Sequence, residues 1–302
     1  MASIGVSLIK LLSRLPFWVL YGFSDLCYVL IYKVFGYRKK VVEQNLRKAF
    51  PEKSDAEILA IMHEFYHHLF DMIVETVKGY SISEEELKKR MVFHNLELIE
   101  EYYAKGQSLL FMLGHYGNWE YAGISMNLNT QYHLNFVYKT LHNKPFDQLM
   151  KSIRGRLGAQ LVPMESTFRE IIRQRKTKTS ITALISDQTP SSKRGYWMEF
   201  LHQNTPVFMG GERIAKGTGY PVIHCDARKV KRGHYEVTYS LITEDPKNEP
   251  HGMILETFNK RLEERIQKEP AYWLWSHRRW KHKMPENLPE EQISKRFPPS
   301  RA

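Results

Sequence analysis

Cysteine is almost missing from this 302-residue chain: Cys27 and Cys225 alone occur, neither in a Cys-x-x-Cys pair nor in a Cys/His cluster. That excludes a disulfide framework and a cysteine-built zinc site, and it fits a reducing compartment. No internal repeat, no low-complexity linker and no Gly-x-Ser-x-Gly elbow appears, so a serine nucleophile of that type is not expected. Acidic residues are too few to balance the basic ones: 33 Asp plus Glu against 44 Lys plus Arg leave a formal charge of +11. Such a field attracts nucleic acid, anionic headgroups or an acidic protein alike and names none of them. Aromatics are plentiful, with 17 Tyr, 15 Phe and 6 Trp. They suit either a large aromatic core or a protein with one wet face and one lipid face. The length allows one large domain or two modest ones, and the composition is globular.

One apolar run stands out. Leu15 to Tyr32 reads LPFWVLYGFSDLCYVLIY, with Lys10 and Arg14 before it, Lys33 after it and Asp25 its single charge. Its length is at the lower edge of what a bilayer core requires, and a carboxylate near mid-bilayer costs roughly 3 kcal/mol. A shallow or re-entrant anchor therefore competes with a full span. Arg38, Lys39, Lys40, Arg47, Lys48 and Lys53 follow, a basic cluster suited to anionic lipid on the cytoplasmic side. The expected organisation is a membrane-binding helical segment over 1–54, a catalytic domain over 55–284 and a loosely ordered tail over 285–302.

Residues 55–75 carry a 3.6-residue apolar rhythm through Ile58, Met62, Phe65, Tyr66 and Leu69, predicting a helix. From about residue 105 strands alternate with helices. Strands are expected at Ser108–Leu113, from His133, at Ser180–Ser186, Pro221–Ala227 and Tyr235–Ile242. Helices are expected at Asn118–Leu128, Lys144–Leu157, Phe168–Arg175 and Gly252–Lys268. The alternation predicts an α/β fold, a mixed sheet flanked by helices, with ligands gathered at strand carboxyl ends.

The sharpest chemical signal is GHYGNWE, Gly114 to Glu120, directly after the first apolar strand. On one continuous helix His115 and Glu120 would stand about 140° apart. They meet if His115 lies in a turn, which Gly114 and Gly117 permit, and Glu120 in the helix that Asn118 caps. The expectation is an imidazole general base with Glu120 holding one ring nitrogen. The nucleophile then belongs to the substrate, as in acyl transfer to a hydroxyl. A second signal is SDQTP, which places Asp187 and Gln188 after another apolar strand, on the edge where His115 emerges. A third is EPAYWLWSHRRWKHK, where Trp273, Trp275 and Trp280 interleave with His277, Arg278 and Arg279. Such a segment stacks nucleic-acid bases, or grips a phosphorylated lipid or acidic carrier with its indoles at a membrane interface. No nucleic-acid fold signature accompanies it, so the second reading is preferred and no nucleic-acid partner is expected. His63-Glu64-Phe65-Tyr66-His67 fits HExxH, but both histidines fall off the helix's apolar stripe and no third ligand is nominated, so no metal is expected.

Taken in order with NLRKAFPE (Asn45–Glu52), these segments resemble the lysophospholipid-acyltransferase superfamily, and within it the bacterial lipid A late (lauroyl and myristoyl) acyltransferases. The matches run from about residue 15 to 283. The resemblance implies a glycerolipid-acyltransferase-like fold, His115 and Glu120 as a catalytic dyad, acyl carrier protein thioester as donor and a phosphorylated glycolipid, a lipid A precursor, as acceptor. It implies no cofactor beyond that co-substrate, and a place on the cytoplasmic face of the inner membrane. Asn118, Arg154, Arg156, Asp187 and Gln188 become substrate-binding candidates, together with His277, Arg278 and Arg279. Lys139 joins them, standing in Tyr138-Lys139-Thr140 where family members commonly have Tyr-Arg-Pro. The chain also has His202 after Phe200-Leu201, where many have glycine. A lysine lacks arginine's two-pronged grip on phosphate. That leaves open an O-acyltransferase acting on another membrane lipid (a glycolipid, amino-acid lipid or lysophospholipid), and a thioester hydrolase with water as acceptor.

Overall fold

The computed structural model describes residues 2–192 and 195–300. The N-terminal part is helical: α1 (Ala2–Leu12), α2 (Phe17–Cys27) running on as a π-helical stretch (Tyr28–Val34), and α3 (Lys39–Ala49). The long α4 (Asp55–Lys78) follows, begun by a capping box in which Ser54 and Glu57 bond each other's backbone amides. As its rhythm predicts, α4 buries Ile58, Met62, Phe65, Tyr66 and Leu69. His63 and His67 lie on its exposed side, set against Tyr32 and Tyr28 of the N-terminal π-helical stretch. Among the described residues no group of three His, Cys, Asp or Glu is placed to hold a metal.

Only 22% of Phe17–Val34 is buried. Trp18, Phe23, Leu26, Leu30, Val34 and Phe35 remain exposed. The opposite side is polar and docked: Ser24 Oγ donates to Asp71 Oδ1 of α4 at 2.7 Å, and Asp25 pairs with Arg232 at 2.6 Å. The charge that made a full span costly is therefore neutralised by the protein body.

Next come α5 (Glu84–Arg90), β1 (Met91–His94), α6 (Leu96–Ala104), β2 (Leu109–Leu113), α7 (Trp119–Met126), β3 (His133–Tyr138) and α8 (Lys144–Arg154). They are followed by β4 (Gln160–Pro163), α9 (Thr167–Gln174), β5 (Ser180–Ile185), the hairpin β6 (Tyr196–Phe200) and β7 (Gln203–Val207), and α10 (Gly210–Thr218). The strands β8 (Val222–Lys231) and β9 (His234–Thr243) and then α11 (Met253–Lys268) complete the regular elements used below. Seven strands form one mixed sheet in the order β1-β9-β8-β2-β5-β3-β4, parallel except for the β8–β9 pair.

β2 is central and wholly apolar because both its faces are covered. Leu110 and Met112 join the core under α4, α10 and α11, while Leu109, Phe111 and Leu113 join the one under α6, α7 and α8. The segment after Pro285, expected to be loose, is instead docked on the β6–β7 hairpin. Ser294 N donates to Trp197 O at 2.8 Å, Glu199 N to Phe297 O at 2.9 Å, and Ser294 Oγ to the buried Glu256 at 2.6 Å. A polar, proline-rich stretch orders here because it supplies partners to the hairpin edge and to a buried carboxylate.

Candidate active site

The parallel pairing of β2 with β5 sets Leu113 opposite Ile185. Two residues beyond each strand end stand His115 and Asp187, so the register delivers both to one edge. His115 Nδ1 lies 2.6 Å from Asp187 Oδ1, and the His115 backbone N–H donates to Asp187 Oδ2 at 2.7 Å. The Trp273 indole N–H donates to the same Oδ2 at 2.8 Å. Burial alone pushes the Asp187 carboxyl up, but His115 and these donors outweigh it and hold its pKa at about 2. An anionic Asp187 fixes the proton on Nδ1 and leaves Nε2 as the acceptor that general-base chemistry needs. Gln188 Nε2 stands 3.2 Å from that nitrogen and is exposed, so its amide occupies the place where a hydroxyl would dock.

This corrects the expected His115–Glu120 contact. Glu120 lies in the first turn of α7 and is buried, but its two oxygens accept from Arg154 Nε at 2.8 Å and Nη2 at 2.6 Å. The two-pronged guanidinium geometry of Arg154, at the end of α8, holds the carboxylate. Asn118 caps α7 as expected, its Oδ1 accepting from Tyr121 N at 2.8 Å. Its amide nitrogen donates to Glu75 at 2.7 Å and the residue is fully buried, so no edge of it is left for substrate. Arg156 spends Nη1 on the Ile82 carbonyl at 2.6 Å. Lys139 is exposed just past β3.

The turn that carries His115 is strapped by the third signal segment. Leu274 N donates to His115 O at 3.1 Å and Gly117 N to Tyr272 O at 2.9 Å, placing Tyr116 across from Trp273. The expectation of interfacial indoles is corrected: Trp273 and Trp275 are core residues, and Trp280 donates its N–H to Thr205 at 2.7 Å. An indole enters a core when its N–H finds an acceptor, and all three do; that of Trp275 is the Pro270 carbonyl. The cations part company. Arg278 is exposed. Arg279 is 1% exposed, donating Nη1 to Pro206 O at 2.7 Å while Nε and Nη2 have no partner among the described residues. Burial lowers the Arg279 pKa to about 10, with the Asp187 charge opposing. His277, accepting from Thr189 N at 3.4 Å, is pushed down to about 4 by burial and the neighbouring Arg279. His115, Asp187, Gln188, Trp273, Leu274 and His277 together line a small cleft.

Close packing behind the turn accounts for its glycines. A Cβ on Gly114 would stand 2.8 Å from Leu262 Cδ1 of α11 and 3.3 Å from Asp187 Oδ2. Gly117 sits at φ +59°, in the left-handed region. The sequence signal for Trp273 was present in its motif, but not its partner.

The family model described as bacterial lipid A biosynthesis acyltransferase matches residues 1–282. A curated relative, "Lipid A biosynthesis acyltransferase 2" of Shigella flexneri, is 24% identical over 158 residues, covering 52% of this chain. The match spans 44% of that relative's length, under half. With the family model covering nearly the whole chain, and the cleft built from the segments that carry the resemblance, this protein belongs to the bacterial lipid A biosynthesis acyltransferase family.

Proposed function

We propose that this protein transfers a fatty acyl chain from an acyl carrier protein thioester to a hydroxyl of a lipid A precursor, with His115 as the base and Asp187 as its orienter. The observation that carries the reading is the 2.6 Å His115–Asp187 contact at the carboxyl edge of the sheet, with the opposite ring nitrogen facing the exposed Gln188 in a small cleft. The acceptor hydroxyl displaces the Gln188 amide and gives its proton to His115 Nε2. Its oxygen attacks the thioester carbonyl, the C–S bond breaks, and the imidazolium returns the proton to the departing thiolate. Asp187 stabilises the cationic imidazole through the step, as carboxylates do in other His-carboxylate pairs. Glu120 serves by holding the Arg154 guanidinium in a two-pronged pair, and so joins the start of α7 to the end of α8.

Two features favour a lipid substrate and a membrane setting. Leu141 and Met164 are exposed just after β3 and β4, and Phe146 and Phe168 are exposed on the helices that follow those strands. They give the catalytic side of the sheet an apolar margin suited to acyl chains. The N-terminal helix shows its apolar side outward while Asp25 is paired, which suits a helix lying in the interface better than one spanning the bilayer. The +11 charge favours an acidic carrier and anionic lipid together. We place the catalytic domain on the cytoplasmic face of the inner membrane, where that donor and acceptor meet.

The test uses purified protein in detergent, labelled acyl–acyl carrier protein and total polar lipid, with His115→Ala alongside. Label entering a phosphorylated glycolipid with the wild type alone supports the proposal. Label in another lipid replaces the acceptor, and release of free fatty acid alone makes the protein a thioester hydrolase.

A further inference from the structure

We propose that Glu75 is a positioning residue that ties the catalytic turn to the membrane-facing N-terminal helix, so that the seating of α2 is felt at His115. The proposal rests on the acyltransferase reading for its activity assay alone. Glu75 lies on α4, remote in sequence from every segment that signalled chemistry, and it is fully buried. Its Oε1 accepts from the Tyr21 hydroxyl of α2 at 2.9 Å. Its Oε2 accepts from Asn118 Nδ2 at 2.7 Å and from the Tyr235 hydroxyl of β9 at 2.8 Å. Asn118 is the cap that starts α7 three residues after His115. One carboxylate thus grips the anchor with one oxygen and the catalytic turn with the other.

Its neighbours on the same face of α4 extend the link. His68 Nε2 reaches the Gly117 carbonyl at 3.1 Å, inside the catalytic turn. Asp71 accepts from Ser24 of α2 at 2.7 Å and from Arg232, which reaches on to Asp25. Residues 68, 71 and 75 fall three to four apart, on one helix stripe. The stripe therefore lies between the anchor and the turn, and Glu75 hydrogen-bonds to both. All three groups bonded to Glu75 are neutral, and burial pushes its carboxyl up to about 7 in spite of them. A buried carboxylate with no bonded cation is an expensive way to fill space, and an apolar side chain would fill it better. Its position is explained by what it holds.

Three variants test this in the full-length protein. Glu75→Gln can keep its oxygen toward Asn118 and Tyr235 while its amide faces the Tyr21 hydroxyl, which can turn to accept. Glu75→Leu keeps the volume and releases all three partners. Tyr21→Phe removes the anchor's side of the link alone. We expect Glu75→Leu to lower kcat at least tenfold with KM within twofold, Glu75→Gln to recover most of it, and Tyr21→Phe to lower kcat severalfold while sedimenting with anionic vesicles like the wild type. A second readout needs no turnover: in histidine-labelled protein, the imidazole resonance of His115, assigned by its loss in His115→Ala, should move in Glu75→Leu and Tyr21→Phe. Equal kcat in folded Glu75→Leu and wild type overturns the proposal. So does an unmoved His115 resonance in Tyr21→Phe, which decides the matter should Glu75→Leu fail to fold. A wild type without transferase activity whose His115 resonance still responds to Tyr21→Phe would sink the proposed function and leave the positioning link standing.

Discussion

Replacing Asp187 by Asn changes one oxygen into an amide and leaves the volume alone. Two donors, the His115 backbone N–H and the Trp273 indole, converge on Oδ2, so the Asn carbonyl must take that place. Its NH2 group then faces His115 Nδ1 and drives the ring proton onto Nε2, the nitrogen that should accept. Asp187 is held at about 2 against an ordinary 3.8 by His115 and the donors although burial opposes them, so the attraction between its charge and the imidazole is on the order of a few kcal/mol. The corresponding change in a Ser-His-Asp triad costs about 10⁴ in kcat and marks the upper end. A fall of about 10²–10⁴ in kcat is therefore expected at neutral pH, with the fold kept. The stability share has a definite sign: a carboxyl with a lowered folded pKa contributes fully above 3.8 and loses that contribution as pH falls through about 2. At pH 7 the comparison sits on the plateau, and Asp187→Asn should also melt a few degrees lower. Transferase kcat and a thermal melt, measured on the same preparations, check both. A folded Asp187→Asn variant within tenfold of wild-type kcat would refute the assignment of Asp187 as orienter.

Three further outcomes follow from the same geometry. Glu120→Gln should cost about 1–3 kcal/mol in urea unfolding by loosening Arg154, and should raise KM more than it lowers kcat. A kcat loss as deep as that of Asp187→Asn at unchanged KM would return the orienting role to Glu120. His68 is held at about 3 by burial, below its ordinary 6.5, so the unfolded chain takes up a proton there first and stability falls as pH drops below 6.5. His68→Gln keeps a donor for the Gly117 carbonyl and removes that titration, so its stability relative to wild type should improve by about 2 kcal/mol between pH 7 and pH 5. A constant difference in urea melts at the two pH values would contradict it. Gly114→Ala drives a methyl against Leu262 and should destabilise by about 1–3 kcal/mol, partly recovered by a Leu262→Val companion; an unchanged melting temperature would show that the turn has slack.

The longer elements were legible from residue types alone because each carries its period locally, whereas the short β1, β4, α5, α6 and α10 and the β6–β7 hairpin were not. The all-apolar β2, the stripe of α4 and the glycines around His115 report their environments through nearest neighbours in sequence. So did the edge on which chemistry collects, since strand ends are local features and parallel sheets expose them together. The N-terminal apolar run was equally plain, and its single Asp25 raised the right question. What answered it was Arg232, 207 residues away in the β8–β9 hairpin. The same distance hid the true partner of the imidazole. Glu120 is five residues from His115 and looked sufficient, but a carboxylate's partner is settled by the sheet register that brings Asp187 alongside and by the helix end that delivers Arg154. The indoles of the third segment likewise read as interfacial from composition, while their acceptors, Asp187, the Pro270 carbonyl and Thr205, draw them into the core. Sequence by itself determined the longer strands and helices and the glycine turn that carries His115, because those depend on short-range backbone preference and periodicity. Tertiary structure decided which charge faces which, because hydrogen bonds and ion pairs act over about 3 Å in space with no regard for separation along the chain.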